Sequence, residues 1–183
     1  MKNNWLIKKQ IQKGFTLVEL LIVVIILAIL AAIVVPQFAS TTDDAKVASL
    51  DSTLANIRSS IDLYYQQHGS KYPGALSESD GTTATTTDPT RIAAFKAQLS
   101  LYTDANGKTS TSKTTTYKYG PYLKKAELPA NPITTVSTLV TVNTGTLGLT
   151  GGATPGGWRY DVITGQFIAD DTTVVNGLAY DKH

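Results

Sequence analysis

Glu19 is the one charged side chain between Gly14 and Pro36. An acidic side chain facing lipid costs on the order of 2–3 kcal/mol at mid-membrane, and less near the end of a helix. If the chain is cut between Gly14 and Phe15, the cut creates an α-amino group four residues before Glu19, on the same helix face. We therefore predict an ion pair between this amine and the Glu19 carboxylate, within one chain or between neighbouring chains.

Gly14 suits such a cut, because a residue without a side chain lets a protease bind extended backbone closely. Residues 15–35 are almost entirely apolar, and two other interpretations of them are an uncleaved membrane anchor and a signal peptide cut near Ala31 or Ala32. A plain anchor has no use for the charge of Glu19. The acidic residue therefore favours cleavage after Gly14 over both alternatives.

The flanking composition predicts how this region meets a membrane. Residues 1–14 hold four lysines and no acidic residue, which is typical of a flank that stays on the cytoplasmic side. Residues 15–35 are almost entirely apolar and are long enough to cross ~30 Å of hydrocarbon. We expect a cationic leader at 1–14 and a membrane helix at 15–35, with the following domain outside the cytoplasm.

The residues from Lys13 to Glu19, KGFTLVE, continue as LLIVVIILAILAAIVVP. Together they closely resemble the processing signal of type IV pilins and type II secretion pseudopilins. The resemblance implies that a membrane prepilin peptidase cuts after Gly14 and methylates Phe15, and that Glu19 sets the register between subunits. It further implies an inner-membrane assembly platform as a partner and a filament of like subunits, periplasmic or on the cell surface.

Beyond the membrane segment, residues 36–68 are expected to continue the helix, with Pro36 kinking or loosening it because proline lacks an amide hydrogen. Apolar residues at spacings of three and four predict one buried stripe. A coiled-coil seam is the alternative, and a pattern of under three heptads disfavours it. The helix is expected to end before Gly69. The stripe comprises Val47, Leu50, Leu54, Ile57, Ile61 and Tyr64.

The composition of residues 69–132 predicts a loop-rich connection, because serine and threonine dominate two stretches of this region. One short helix is predicted within it, capped by Asp88 and continuing to near Asp104. The apolar face of that helix is formed by Ile92, Phe95, Leu99 and Tyr102.

Residues 133–183 are predicted to form three or four antiparallel strands, because they are rich in β-branched and aromatic residues. The fold class is therefore α+β and pilin-like, with a long N-terminal helix packed on a small antiparallel sheet. Trp158 and Tyr160 are expected to pack against the helix. The predicted strands are Thr134–Val142, Trp158–Ile163, Gln166–Ala169 and Thr172–Tyr180.

No catalytic set stands out, and His68 and His183 are expected to be solvated rather than catalytic. Four aspartates near predicted turns could instead hold calcium, which prefers clustered carboxylate and carbonyl oxygens. The resemblance supports this, because major pseudopilins hold a calcium ion in that region. The spacing of these aspartates matches no loop consensus, which favours turn-forming and solubilising roles over metal binding. The four are Asp161, Asp170, Asp171 and Asp181.

The net charge of the processed chain disfavours one class of function, nucleic-acid binding. The formal charge of +2 includes the four lysines that precede Gly14, so the processed chain carries about −2. This balance does not favour nucleic acid as a partner. The leading interpretation is a structural filament subunit, anchored as a single-pass inner-membrane protein before assembly. The alternatives are a membrane-tethered enzyme or binding protein, and a DNA-uptake minor pilin.

Overall fold

The computed structural model describes residues 14–175 and 177–183, and describes the backbone but not the side chains of residues 35–40. The predicted leader, apart from Gly14, lies outside the described residues. The side chain of Pro36 does as well, and the kink there stays a prediction. The contacts divide the chain into a first unit that ends at Asp44 and a second unit, Ala45–His183.

One long helix, α1, runs over Leu17–Gln67. In the second unit its predicted apolar stripe is buried: Leu50, Leu54, Ile57, Ile61 and Tyr64 are each at most 2 % exposed. The helix ends where glycine and serine adopt positive φ angles of 61° and 62° at positions 69 and 70. The Ser70 amide then donates to the Tyr65 carbonyl at 3.1 Å, which satisfies an end carbonyl of the helix.

The short helix, α2, spans Asp88–Ser100 and is capped by Thr87 rather than by Asp88. Asp88 sits in the first turn, where its carboxylate accepts hydrogen bonds from the amide and hydroxyl of Thr141. The connection is better packed than its composition suggested, because Phe95 and Leu99 are fully buried. Two short strands follow α2, β1 at Tyr102–Thr103 and β2 at Thr109–Ser110, and they pair antiparallel.

The central sheet has three strands in the order β3, β4, β5. They are β3 Leu139–Val142, β4 Trp158–Asp161 and β5 Phe167–Ala169. β4 and β5 pair antiparallel, as expected, but β3 runs parallel to β4, with Leu139 opposite Trp158. The prediction of an all-antiparallel sheet was therefore wrong for β3. The α+β, pilin-like class is confirmed.

Two predicted strands are shorter or divided. The first half of Thr134–Val142 is a turn, because the buried Asn131 side chain accepts from the Ile133 amide and donates to the Gly157 carbonyl. The predicted strand Thr172–Tyr180 is a hairpin of β6 Val174–Val175 and β7 Leu178–Ala179. A short 3₁₀ helix, Tyr180–Lys182, follows it.

The second unit has one hydrophobic core that joins α1, α2 and the central sheet. Trp158 and Tyr160 are fully buried in it, as expected. The Trp158 indole NH donates to the Pro129 carbonyl at 2.8 Å, and the Tyr160 hydroxyl donates to the Pro73 carbonyl at 3.0 Å. Both aromatic residues therefore bury their rings and still satisfy their polar atoms.

Candidate assembly site at the start of α1

Thr16 and Glu19 cap the first turn of α1. The Thr16 amide and hydroxyl donate to Glu19 Oε2 at 2.9 and 2.8 Å, and the Glu19 amide donates back to the Thr16 hydroxyl at 3.2 Å. This reciprocal pattern is a capping box, in which two otherwise unpaired amides at a helix start are satisfied. The spacing Thr-x-x-Glu is the sequence signal for this capping box and identifies Thr16, whereas the charge of Glu19 alone does not.

The surface that follows this cap is apolar and exposed. Leu17–Val34 is an 18-residue window of mean hydropathy 3.3, and none of it is buried inside the structure. By length and composition it is the one helical window in the described residues that is able to cross a membrane. Phe15, next to the predicted cleavage point, is 84 % exposed. Large apolar side chains exposed in this way require lipid or another protein surface.

The structure does not gather the four candidate calcium ligands into one cluster. In the described part of the chain, no group of three or more acidic or histidine side chains could hold a metal ion. All four aspartates are buried. Asp161 accepts from the Thr144 hydroxyl and from the Gly145 and Ile163 amides at 2.7 to 3.0 Å, so it already holds a turn together.

The other aspartates also have protein partners. Asp170 pairs with the Arg159 guanidinium at 2.7 Å, and the Asp171 carboxylate accepts from the Thr173 amide. Asp181 pairs with Lys182 at 2.9 Å through Oδ2, while its Oδ1 is buried without a partner. One unpartnered oxygen falls well short of the six to eight that calcium takes. The hydrogen bonds favour structural roles, and the calcium site stays a prediction.

His68 is buried, so its expected solvation was wrong. Only 2 % of the residue is exposed, and its ring stacks on Tyr64 at a centroid distance of 3.8 Å. Its Nδ1 lies 2.8 Å from the Tyr64 carbonyl and its Nε2 lies 2.9 Å from the Thr103 hydroxyl. Burial lowers the pKa of the imidazole, and the hydrogen bond to Tyr64 offsets part of that effect. The ring is a structural group that joins α1 to β1.

His183, the other histidine, lies against α1. Its Nδ1 contacts Asp51 Oδ1 at 2.9 Å. Its carbonyl accepts from Arg58 at 2.8 Å, and Arg58 also donates to the Phe167 carbonyl at 2.9 Å. Arg58 thereby joins α1 to both β5 and the C-terminal residue His183.

Comparison with known proteins places the recognisable part of the chain at this site. The model of the prokaryotic N-terminal methylation motif matches residues 9–35. A type IV narrow pilus major component of Thermus thermophilus is 55 % identical over 47 residues, which cover 26 % of this chain and 40 % of that protein. No solved structure matches the chain at a significant level.

Two further relatives represent a secretion system and a pilus. The type II secretion system core protein G of Pseudomonas aeruginosa is 49 % identical over 53 residues, which cover 29 % of this chain and 37 % of that protein. A type IV major pilin of Neisseria gonorrhoeae is 41 % identical over 63 residues, covering 34 % and 38 %. The chain thus spans less than half the length of each of these relatives. Its N-terminal segment is a prepilin-type methylation motif, of the kind that type IV pilins and type II secretion pseudopilins carry.

Proposed function

We propose that this chain is a structural subunit, a pilin or pseudopilin, of a type IV pilus-like or type II secretion filament. The observation that carries the proposal is the exposed apolar surface of Leu17–Val34, directly after a methylation motif. A surface of this kind is stable in lipid before assembly and against the same surface of other subunits afterwards. The proposed role is structural, and the chemistry at Gly14 and Phe15 is done by another protein.

The partners follow from this role. A prepilin peptidase would cut after Gly14 and methylate Phe15, and an inner-membrane assembly platform would extract the subunit from the bilayer. Before assembly the chain would be a single-pass inner-membrane protein whose second unit lies outside the cytoplasm. Afterwards it would belong to a periplasmic or cell-surface filament, with its own copies and other pilins as neighbours.

Glu19 would serve both as cap and as assembly residue. Both hydrogen bonds from Thr16 end on Oε2, which leaves Oε1 for an ion pair with the Phe15 amine of a neighbour. Such a pair is stronger in an apolar helix bundle than in water, because the dielectric screening is weaker there. The carboxylate would therefore be costly in lipid and favourable in the filament, which drives assembly.

The proposal is tested by mass spectrometry of the mature N-terminus together with electron microscopy of sheared filaments. The wild-type chain should begin with methylated Phe15 and form filaments. Gly14→Leu should leave the precursor uncut in the membrane, because the peptidase needs bare backbone at this position. An intact N-terminus in wild-type membranes, or normal cutting of Gly14→Leu, would contradict the proposal.

A further inference from the structure

One lysine-rich segment of the second unit carries only positive charge. Residues 105–126, here called the basic segment, contain five lysines and no acidic residue. The rest of the second unit holds seven Lys and Arg against eleven Asp and Glu, so it carries about −4 outside the basic segment. The net charge of the unit is therefore close to zero, although one segment is positive and the rest is negative. The five lysines are Lys108, Lys113, Lys118, Lys124 and Lys125, and all are exposed.

The second half of the basic segment is held firmly to the domain. The amides of Tyr122 and Leu123 both donate to the Leu99 carbonyl at 2.8 Å, and the Tyr122 hydroxyl donates to Gln67 at 2.7 Å. Tyr119 forms two backbone hydrogen bonds with Thr103. The lysines that follow are thus displayed from a fixed backbone.

An apolar groove of about 430 Å³ lies at the end of this segment. The one acidic residue in its lining, Glu127, is paired with Lys96 at 2.6 Å. In the part of the chain that the structure describes, no carboxylate pairs with Lys124 or Lys125. The groove therefore combines apolar walls with two cations that lack a counter-charge. Its lining residues are Leu123, Lys124, Lys125, Glu127, Leu128 and Pro129.

The opposite charge is exposed elsewhere on the same unit. Asp170 and Asp181 are buried and already paired with Arg159 and Lys182, so they offer little to a partner. Asp62 and Asp80 are exposed on other segments of the unit. The unit thus presents uncompensated cations at one place and exposed carboxylates at others.

We propose that the groove with Lys124 and Lys125 docks an acidic surface of a second copy of this chain in the filament. The inference rests on the proposed function. Subunits that wind into a helical filament use heterologous contacts, which require two different and complementary surfaces on every copy. The groove with its two lysines and the exposed carboxylates elsewhere on the unit are complementary in this way. Copies already joined through their apolar helices meet at high effective concentration, so even modest ion pairs orient them.

Nucleic acid is the competing occupant of a lysine-rich segment. A polyanion would be attracted by the basic segment but repelled by the net negative charge of the rest of the unit, whereas a second copy offers exposed carboxylates such as Asp62 and Asp80 as the counter-charge. The charge balance therefore favours the second copy.

The test uses full-length chains in cells, scored by sheared filaments per unit of processed protein. Lys124→Glu/Lys125→Glu should lower the filament yield by about tenfold or more, because attraction becomes repulsion at the groove. Among single variants, Lys125→Glu should reduce the yield and Lys71→Glu should not. Lys71 is an exposed lysine outside the segment and gives the same change of charge. Equal amounts of processed protein in the membrane, with equal resistance of the second unit to protease, would show that the variants insert and fold.

The outcomes separate this inference from the proposed function. The docking surface is refuted if wild-type filaments form and the double variant yields as many. It is also refuted if Lys71→Glu lowers the yield as much as Lys125→Glu does. In both cases the structural role stands. Wild-type cells without filaments would contradict the structural role itself. Fluorescent single-stranded DNA is the probe for the competing occupant: if intact wild-type filaments bind it and equally abundant double-variant filaments do not, the groove serves a polyanion and the inference is overturned.

Discussion

Glu19 combines a hydrogen-bonding role and an electrostatic role in one side chain, and two substitutions separate them. Glu19→Ala removes both, and should insert and be cut yet fail to enter filaments, because the apolar helix gains hydrophobicity and loses its ionic partner. Glu19→Gln keeps an oxygen that can accept from Thr16 but carries no charge.

Filament yield of the two variants, measured per unit of cleaved protein, decides between the roles. We expect Glu19→Gln to fail nearly as fully as Glu19→Ala, since the ion pair requires the charge. Normal filaments from Glu19→Gln would instead assign assembly to the cap at Thr16.

His68 predicts a pH dependence of stability. Burial lowers the pKa of the folded imidazole below its ordinary value of 6.5, so the unfolded chain binds this proton first as the pH falls. Stability from this residue is therefore complete above about pH 6.5 and declines below it. Thermal melts of the detergent-solubilised chain at pH 7.5 and 5.5 should show a lower midpoint at pH 5.5.

The charged and titratable groups around His68 are Tyr64, Asp104, Tyr119 and Tyr122, and Lys118 lies over the Tyr119 ring. His68→Gln removes the titrating group and should flatten the difference between the two pH values. An unchanged difference in that variant would assign the pH dependence to other groups.

The calcium hypothesis is decided by a thermal melt of the same chain with calcium and then with chelator. A ligand that binds only the folded state raises stability by roughly 2.7 kcal/mol at a hundredfold excess over its dissociation constant. Because Asp161 and Asp170 are already bonded to protein groups, we expect little change. A clear rise with calcium would show that the folded chain binds the ion and would contradict this expectation.

The sequence could predict some residue roles and not others, for definite reasons. Glu19 stood out because a lone charge in an apolar run is costly. His68 was missed because a histidine beside a helix end looks solvated unless the aromatic residues that cover it, Tyr119 and Tyr122, are known to be near. Asp161 has the predicted turn role, through the Ile163 amide two residues on, but its complete burial was not predicted, because its other partners lie 16 and 17 residues away along the chain.

At the scale of elements, α1 offers a matched pair of leucines. Leu54 is 1 % exposed and packs in the core, whereas Leu63 on the same helix is 46 % exposed. Leu54→Ala should cost about 2–5 kcal/mol of folding free energy through lost burial and a cavity. Leu63→Ala should cost under about 1 kcal/mol, since surface substitutions away from special features change little. Urea unfolding followed by tryptophan fluorescence measures both, and equal costs would contradict the assigned face of α1.

The strands were less predictable than the helices. The periodicity of the α1 stripe identified its buried face, because a helix repeats within its own sequence. The parallel pairing of β3 with β4 involves residues 19 positions apart, and propensity carries no information about the direction of a partner. Asn131 likewise ends the predicted first strand through a bond to Gly157, 26 residues away.

At the scale of the whole molecule, the second unit should fold without the apolar segment. Its core draws only on residues from position 47 onward, so a chain starting at Thr41 keeps every core residue. We expect this fragment to be a folded monomer, because the proposed polymer contact surface of Leu17–Val34 is absent. Size-exclusion chromatography with light scattering measures its mass. Polymers formed by the fragment would contradict the proposed role of the N-terminal segment.

Arg58 joins α1 to residues that lie far along the chain. Its bonds to the carbonyls of Phe167 and His183 close loops of 109 and 125 residues, and contacts so distant along the chain form late and slowly. During synthesis the domain half of α1 emerges long before the residues that cover it. Its apolar stripe is therefore not fully covered until the strands of the central sheet arrive, and a chaperone that shields it during export would raise the yield of native protein.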